Sequence, residues 1–111
     1  MVEAQEDTAG TAYQLVNFGT AVKAIKQGKR ACRQGWNGKG LFIFEQVPNL
    51  VGVHIIPKMS SLPQSVKDVL IKRDQPIKYL NQIALVKPNN EVNGWSPSTA
   101  DALAEDWIIL D

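Results

Sequence analysis

The sequence is poor in the residues from which most reaction centres are built. Cys32 and His54 are its only cysteine and its only histidine, which excludes a structural zinc site of the usual Cys/His type. One thiol also leaves no partner for an intramolecular disulfide. No Ser/His/Asp signature is present, and neither GxGxxG nor GxxxxGK[ST] occurs, so the standard phosphate-cradling loops are absent. An excess of one charge is missing too: 12 Lys and Arg face 11 Asp and Glu, for a net charge of +1. Binding long nucleic acid by charge needs a clustered basic surface, so no long nucleic acid is expected as partner. A compact anionic ligand needs only a few local donors and stays open. No apolar run approaches the roughly 20 residues of a membrane span, and no basic then apolar leader opens the chain. These absences lead to the expectation of a cytoplasmic protein with no membrane partner, cofactor or metal.

What is present centres on residues 29–44, KRACRQGWNGKGLFIF. Two extended runs, 29–34 and 41–46, flank a turn at 35–40 that holds three glycines, an Asn-Gly pair and Trp36. Glycines let a backbone approach another surface closely, so a tryptophan among them can be an aromatic platform for a ligand. The same ring can equally fold back over the edge of the core. Pattern alone leaves both readings open.

The remainder reads as one small α+β domain over residues 12–111, preceded by a polar, acidic tail at 1–11. Phe18, Ala21, Val22 and Ile25 recur at helical spacing, with Asn17 placed as N-cap and Gly28 as stop, which predicts an amphipathic helix over 18–27. Four apolar residues in succession, Leu41 to Phe44, predict a strand covered on both faces, one by that helix and one by something else, such as a second subunit. The apolar island 51–56 reads as a short strand followed by a loop, with His54 a structural histidine inside it. Pro63 and the spacing of Val66, Val69 and Leu70 predict a short helix over 63–72, whose Lys67, Lys72 and Arg73 belong to a solvated face. Strands follow near 81–87 and 92–95, joined by a turn at 88–91. Ser98 with Asp101 three residues on resembles a capping box, and Ala100, Leu103, Ala104 and Trp107 share a helical spacing. An apolar strand at 107–110 ends the chain, with the C-terminus inside the sheet. The fold expected is thus a small antiparallel sheet, one main amphipathic N-terminal helix and short additional helices.

Chemically, Trp36 and Trp95 sit beside small polar residues and are suited to stacking on a base. Asn37 can both donate and accept toward a base edge or ribose hydroxyl, and backbone N–H groups at 38–40 with Lys39 can form an anion-binding concavity. Asp101 and Asp106 can be an acid/base pair for a glycosidic bond. Their plainer reading, as a helix N-terminal residue and a turn residue, is preferred. So thin a catalytic inventory favours a binder over an enzyme.

The order Asn17-Phe18-Gly19, an amphipathic helix, Gly28-Lys29, Arg33-x-Gly35-Trp36-Asn37-Gly38-Lys39-Gly40 with Phe42 and Phe44, then Trp95-x-x-Ser98-x-x-Asp101-x-Leu103-Ala104-x-Asp106-Trp107, resembles a family of phage and prophage proteins. These are the Thoeris anti-defence proteins of the second type. The motifs bracket residues 17–110, the region between them matches loosely, and residues 1–15 look additional. The resemblance implies a non-enzymatic sponge that sequesters glycocyclic ADP-ribose, the cyclic ADP-ribose isomer made by a Thoeris TIR-domain enzyme. It also implies an α+β homotetramer with pockets between subunits, some members holding cyclic oligonucleotides. Carried over by position, Trp36, Asn37, Ser98, Asp101 and Asp106 match the motifs as pocket residues, with Trp95 and Lys39 as further candidates. Many relatives have Thr directly before the Asp, where this chain has Ala100, so one hydroxyl is missing. The segment 47–76 is a second place where the pocket can differ. The alternatives are an enzyme that degrades a cyclic nucleotide signal, and a module that binds a host protein through the Trp36 turn.

Overall fold

A computed structural model describes residues 13–36 and 39–111. The expected tail at 1–11 lies outside the described residues, as does Asn37. The described chain falls into two compact units, one made of residues up to Gln46 together with Gln82–Asp111, the other Val47–Asn81.

The first unit is α+β. Helix α1, Phe18–Lys26, starts where the sequence places it: the Asn17 side chain accepts a hydrogen bond from the Thr20 N–H at 2.8 Å, satisfying one of the first-turn donors. It stops at Gly28, whose φ of 89° is the left-handed conformation that lets a chain leave a helix. Five antiparallel strands form the sheet in the order β6-β5-β2-β1-β7, with β1 Arg30–Arg33, β2 Phe42–Gln46, β5 Gln82–Val86, β6 Val92–Gly94 and β7 Trp107–Leu110. β1 and β2 are the two arms expected around the glycine-rich turn. The 88–91 turn is also as expected, with Asn90 left-handed and the Glu91 N–H bonded to the Asn89 side chain at 3.1 Å.

Strand alternation divides the core between the two faces of this sheet. On one face Ala31, Ile43 and Trp107 meet Ala21 and Ile25 of α1, with Phe18, Ile83, Leu85 and Trp95 around them. On the other, Cys32, Ile108 and Leu110 pack with Phe42 and Tyr13. Tyr13, just ahead of α1, thus covers part of the second face at β1 and β7.

Two expectations change. β7 is not inside the sheet but at its end, paired with β1 along Arg30↔Leu110 to Arg33↔Trp107 and joined on its far side by a bridge from Val16 to Trp107. The short helix α3, Thr99–Leu103, does not carry its apolar stripe on to Trp107. Ala104 is extended at φ −69° and ψ 149°, Leu103 is left 75% exposed, and Trp107 belongs to the strand. No helix among the described residues is long and apolar enough to cross a membrane.

The second unit is a two-stranded antiparallel ribbon, β3 Asn49–Val51 against β4 Ile77–Tyr79, joined through a 3-10 segment Val53–Lys58 and helix α2 Gln64–Arg73. The island at 51–56 is thus mostly 3-10 turns rather than strand and loop. His54 is exposed, its ring lying so close over Gly52 that a Cβ there would sit 2.9 Å from it. α2 buries no residue completely, and Lys67 donates to the Pro57 carbonyl at 3.1 Å, tying helix to 3-10 segment. A hollow of about 390 Å³ lies along Leu70, Arg73, Gln75, Pro76, Ile77 and Lys78.

Candidate functional site

The candidate residues meet in the first unit, where the β1 end, the turn after it and the entry to α3 converge. Arg33 is the last residue of β1 and stands opposite Trp107. Its Nε donates to Asp106 Oδ1 at 2.8 Å and its Nη1 to Asp101 Oδ1 at 2.9 Å. One guanidinium therefore bridges both acids.

Each carboxylate has a second duty. Asp101 Oδ2 accepts from the Ser98 N–H at 3.1 Å and from the Ser98 hydroxyl at 2.9 Å, while Ser98 Oγ accepts from the Asp101 N–H at 3.1 Å. This is a complete capping box, with Asp in the place usually held by Glu or Gln. Asp101 Oδ1 also accepts from Trp36 Nε1 at 3.4 Å. Asp106 Oδ2 takes the Gly35 N–H at 3.0 Å, and the Asp106 carbonyl takes the Gln34 N–H at 2.9 Å. All four carboxylate oxygens are thus engaged.

The ionisation states follow. Side chains of Arg33, Asp101 and Asp106 are 21%, 15% and 26% exposed, too little for water to screen the pairs fully. Burial pushes the Asp101 carboxyl up, but the hydrogen bonds from Arg33, Ser98 and Trp36 outweigh it and hold Asp101 below the usual carboxylate range. For Asp106 the Arg33 hydrogen bond is the largest influence and also lowers it, against a smaller opposing effect of burial. Arg33 in turn is raised by its bonds to Asp106 and Asp101. Both acids are anions at neutral pH, so neither stores the proton that a general acid must give to a leaving group. Cys32, close by in β1, is no better placed for chemistry: burial pushes its thiol up to about 11, against a lowering by Arg30.

An aromatic cluster backs the carboxylates. Trp36 and Trp95 approach edge to face at 6.1 Å, and both pack against Trp107, at 5.3 and 6.1 Å. Phe18 closes the group from α1 at 5.1 Å from Trp107. Trp107 Nε1 donates to the Asp101 carbonyl at 3.0 Å, so rings and acids form one assembly. Trp36 and Trp95 are half-buried, whereas Trp107 is completely buried.

Of the residues singled out in the sequence, Trp36, Trp95, Ser98, Asp101 and Asp106 are brought together here. Lys39 is exposed within the turn. Ala100 is exposed on α3 beside Asp101. Arg33 and Gly35 were quoted within the sequence motif but not singled out as site residues. Gly35 carries a readable signal, because a glycine directly before a motif tryptophan permits a close backbone approach. A Cβ there would lie 3.0 Å from Asp106 Oδ2. Gly35→Ala is accordingly expected to displace the Asp106 carboxylate and cost about 1–2 kcal/mol, measured as a lower urea midpoint. An unchanged midpoint would show that the contact yields freely.

Among the described residues no group of three or more His, Cys, Asp or Glu could hold a metal ion. The site is therefore an aromatic-backed patch on a small α+β sheet domain, centred on two ionised carboxylates bridged by one guanidinium. Residues 16–110 match the family described as the Thoeris anti-defense 2-like domain, and the chain belongs to that family. It is 30% identical over 95 residues to Thoeris anti-defense 2 of Bacillus phage SP01, an alignment covering 86% of this chain and 94% of that protein. Membership gives the protein an anti-defence role at the level of the family.

Proposed function

We propose that the protein acts as a sponge, binding glycocyclic ADP-ribose, the signal of Thoeris, and withholding it from its effector without cleaving it. The observation that carries this reading is the Arg33-bridged pair of acids beside Trp36 and Trp95. Its carboxylates are ionised, which unsuits them to acid catalysis; each Asp101 oxygen already accepts two hydrogen bonds, whereas each Asp106 oxygen accepts one and keeps a lone pair for a ligand hydroxyl or base N–H. The half-buried indoles supply stacking surface for a base. Ser98, Asp101 and Asp106 then form the acceptor side of the site, Trp36 and Trp95 its aromatic side. Asn37 and Lys39 lie on the turn beyond Trp36 and join the site by their place in the motif. The same reading makes the protein a cytoplasmic homotetramer in the infected cell, and admits cyclic oligonucleotides as further ligands.

Incubation with equimolar glycocyclic ADP-ribose, removal of free ligand and heat denaturation should return the molecule chemically intact. A ligand at about 100 times its Kd should also stabilise the fold by about 2.7 kcal/mol. Recovery of a linear or hydrolysed product, or consumption of excess ligand by substoichiometric protein, would overturn the sponge in favour of an enzyme.

A further inference from the structure

We infer that Arg33 is the positioning residue of the proposed site, a clamp that sets the Trp36 ring and the start of the glycine-rich turn against the entry to α3. The inference rests on the sponge reading for what the site binds, but on geometry for what the clamp does. From Arg33 two closed circuits run back to its own near neighbours. One passes through Asp106, whose second oxygen holds the Gly35 N–H; the other passes through Asp101, whose Oδ1 is shared between Arg33 and Trp36 Nε1. Successive residues of the turn are thus fixed by acids that lie 71 and 65 positions away in sequence.

The contact from Trp36 is the long one, at 3.4 Å against 2.9 Å for Arg33 on the same oxygen. The indole therefore follows a carboxylate that Arg33 on one oxygen and the Ser98 box on the other place, not the reverse. Charge alone does not provide this. Nε and Nη1 point in different directions from a rigid plane and reach two separate acceptors, whereas an ammonium on a flexible stem is a single point charge. With the guanidinium present the trio carries a net charge of −1. Without it, two facing anions would stand beside the aromatic surface, repelling one another and any pyrophosphate.

Arg33→Lys separates geometry from charge, and Arg33→Met removes both. Each protein is titrated with glycocyclic ADP-ribose by tryptophan fluorescence, and its near-UV circular dichroism is recorded without ligand. The expected result for Arg33→Lys is a folded protein whose tryptophan dichroism differs from wild type and whose Kd is weaker by about tenfold or more, with Arg33→Met weaker still. A Kd within about twofold of wild type for Arg33→Lys would overturn the clamp, since charge without the fork would then suffice. Should both variants fail to fold, Asp106→Asn breaks only the Gly35 circuit and is expected to weaken binding by an intermediate factor; unaltered affinity overturns the inference. Wild-type protein that binds no glycocyclic ADP-ribose overturns the proposed function instead. The near-UV spectrum of Arg33→Lys then decides the clamp alone, an unchanged spectrum counting against it.

Discussion

Trp107→Ala is expected to lower the unfolding free energy by about 3–5 kcal/mol, a large part of the roughly 5–15 kcal/mol that keeps a domain folded. Trp107 is completely buried, and its ring touches the three other aromatic rings of the site. Its backbone also joins β1 on one side and Val16 on the other. Truncation opens a cavity between helix and sheet that neither element can close without moving Phe18 or Trp36. Trp107→Phe refills much of that volume but leaves the Asp101 carbonyl without the indole donor, so its smaller cost, about 1–2 kcal/mol, isolates the hydrogen bond. Urea unfolding of both variants, with the slope compared to confirm a common transition, gives the numbers. A loss below about 1 kcal/mol for the alanine variant would mean that the ring fills space the fold does not need.

The same residue shows where the sequence stops being legible. Trp107 lies four positions beyond Leu103, a spacing that keeps residues on one side of both a helix and a strand. Reading it as the end of a helical stripe was natural, yet the helix ends at Leu103 and the strand begins at Trp107. Signals that act within three or four residues were readable. Asn17 caps Thr20, and Ser98 and Asp101 form their box, because donor and acceptor lie within one turn of each other. The pattern of residues does not, however, join the two acids through Arg33, since this common partner is 68 and 73 positions away. Nothing in RACR says that its last guanidinium turns toward two acids near the other end of the chain. Of the two readings of Trp36, packing is what the structure shows: the half-buried residue lies edge to face against Trp95 and Trp107. In the second unit the branched residues of 51–56 suggested a strand, but Pro57 and the tight turns from Gly52 onward favour 3-10 geometry, for which composition gives little signal.

Asp101→Ala is expected to cost about 2–4 kcal/mol, because one side chain serves the capping box, the Arg33 bridge and the Trp36 indole together. Asp101→Asn keeps one acceptor oxygen and is expected to cost less, its own loss against wild type reporting the charge together with the second acceptor. These contributions are not independent of Arg33. In a double-mutant cycle with Arg33→Met the two substitutions should fall short of additivity by about 0.5–3 kcal/mol, whereas separate sites would add within about 0.5 kcal/mol. Acid provides a second route to the same bonds. Both carboxyls are held below their unfolded value in the folded protein, so the folded state binds fewer protons as pH falls through the unfolded value near 3.9. Their stabilisation is fully present above that pH and is lost as pH falls on through the folded values. Urea midpoints of the wild type should therefore not register these two acids between about pH 7 and 5, and should drop below about pH 4. In Asp101→Ala part of that acid-dependent drop should vanish, since Asp106 alone remains to be protonated. A variant that is less stable at neutral pH yet loses as much as wild type on acidification would show that the Asp101 contribution does not depend on its ionised state, either through Arg33 or through the Ser98 cap.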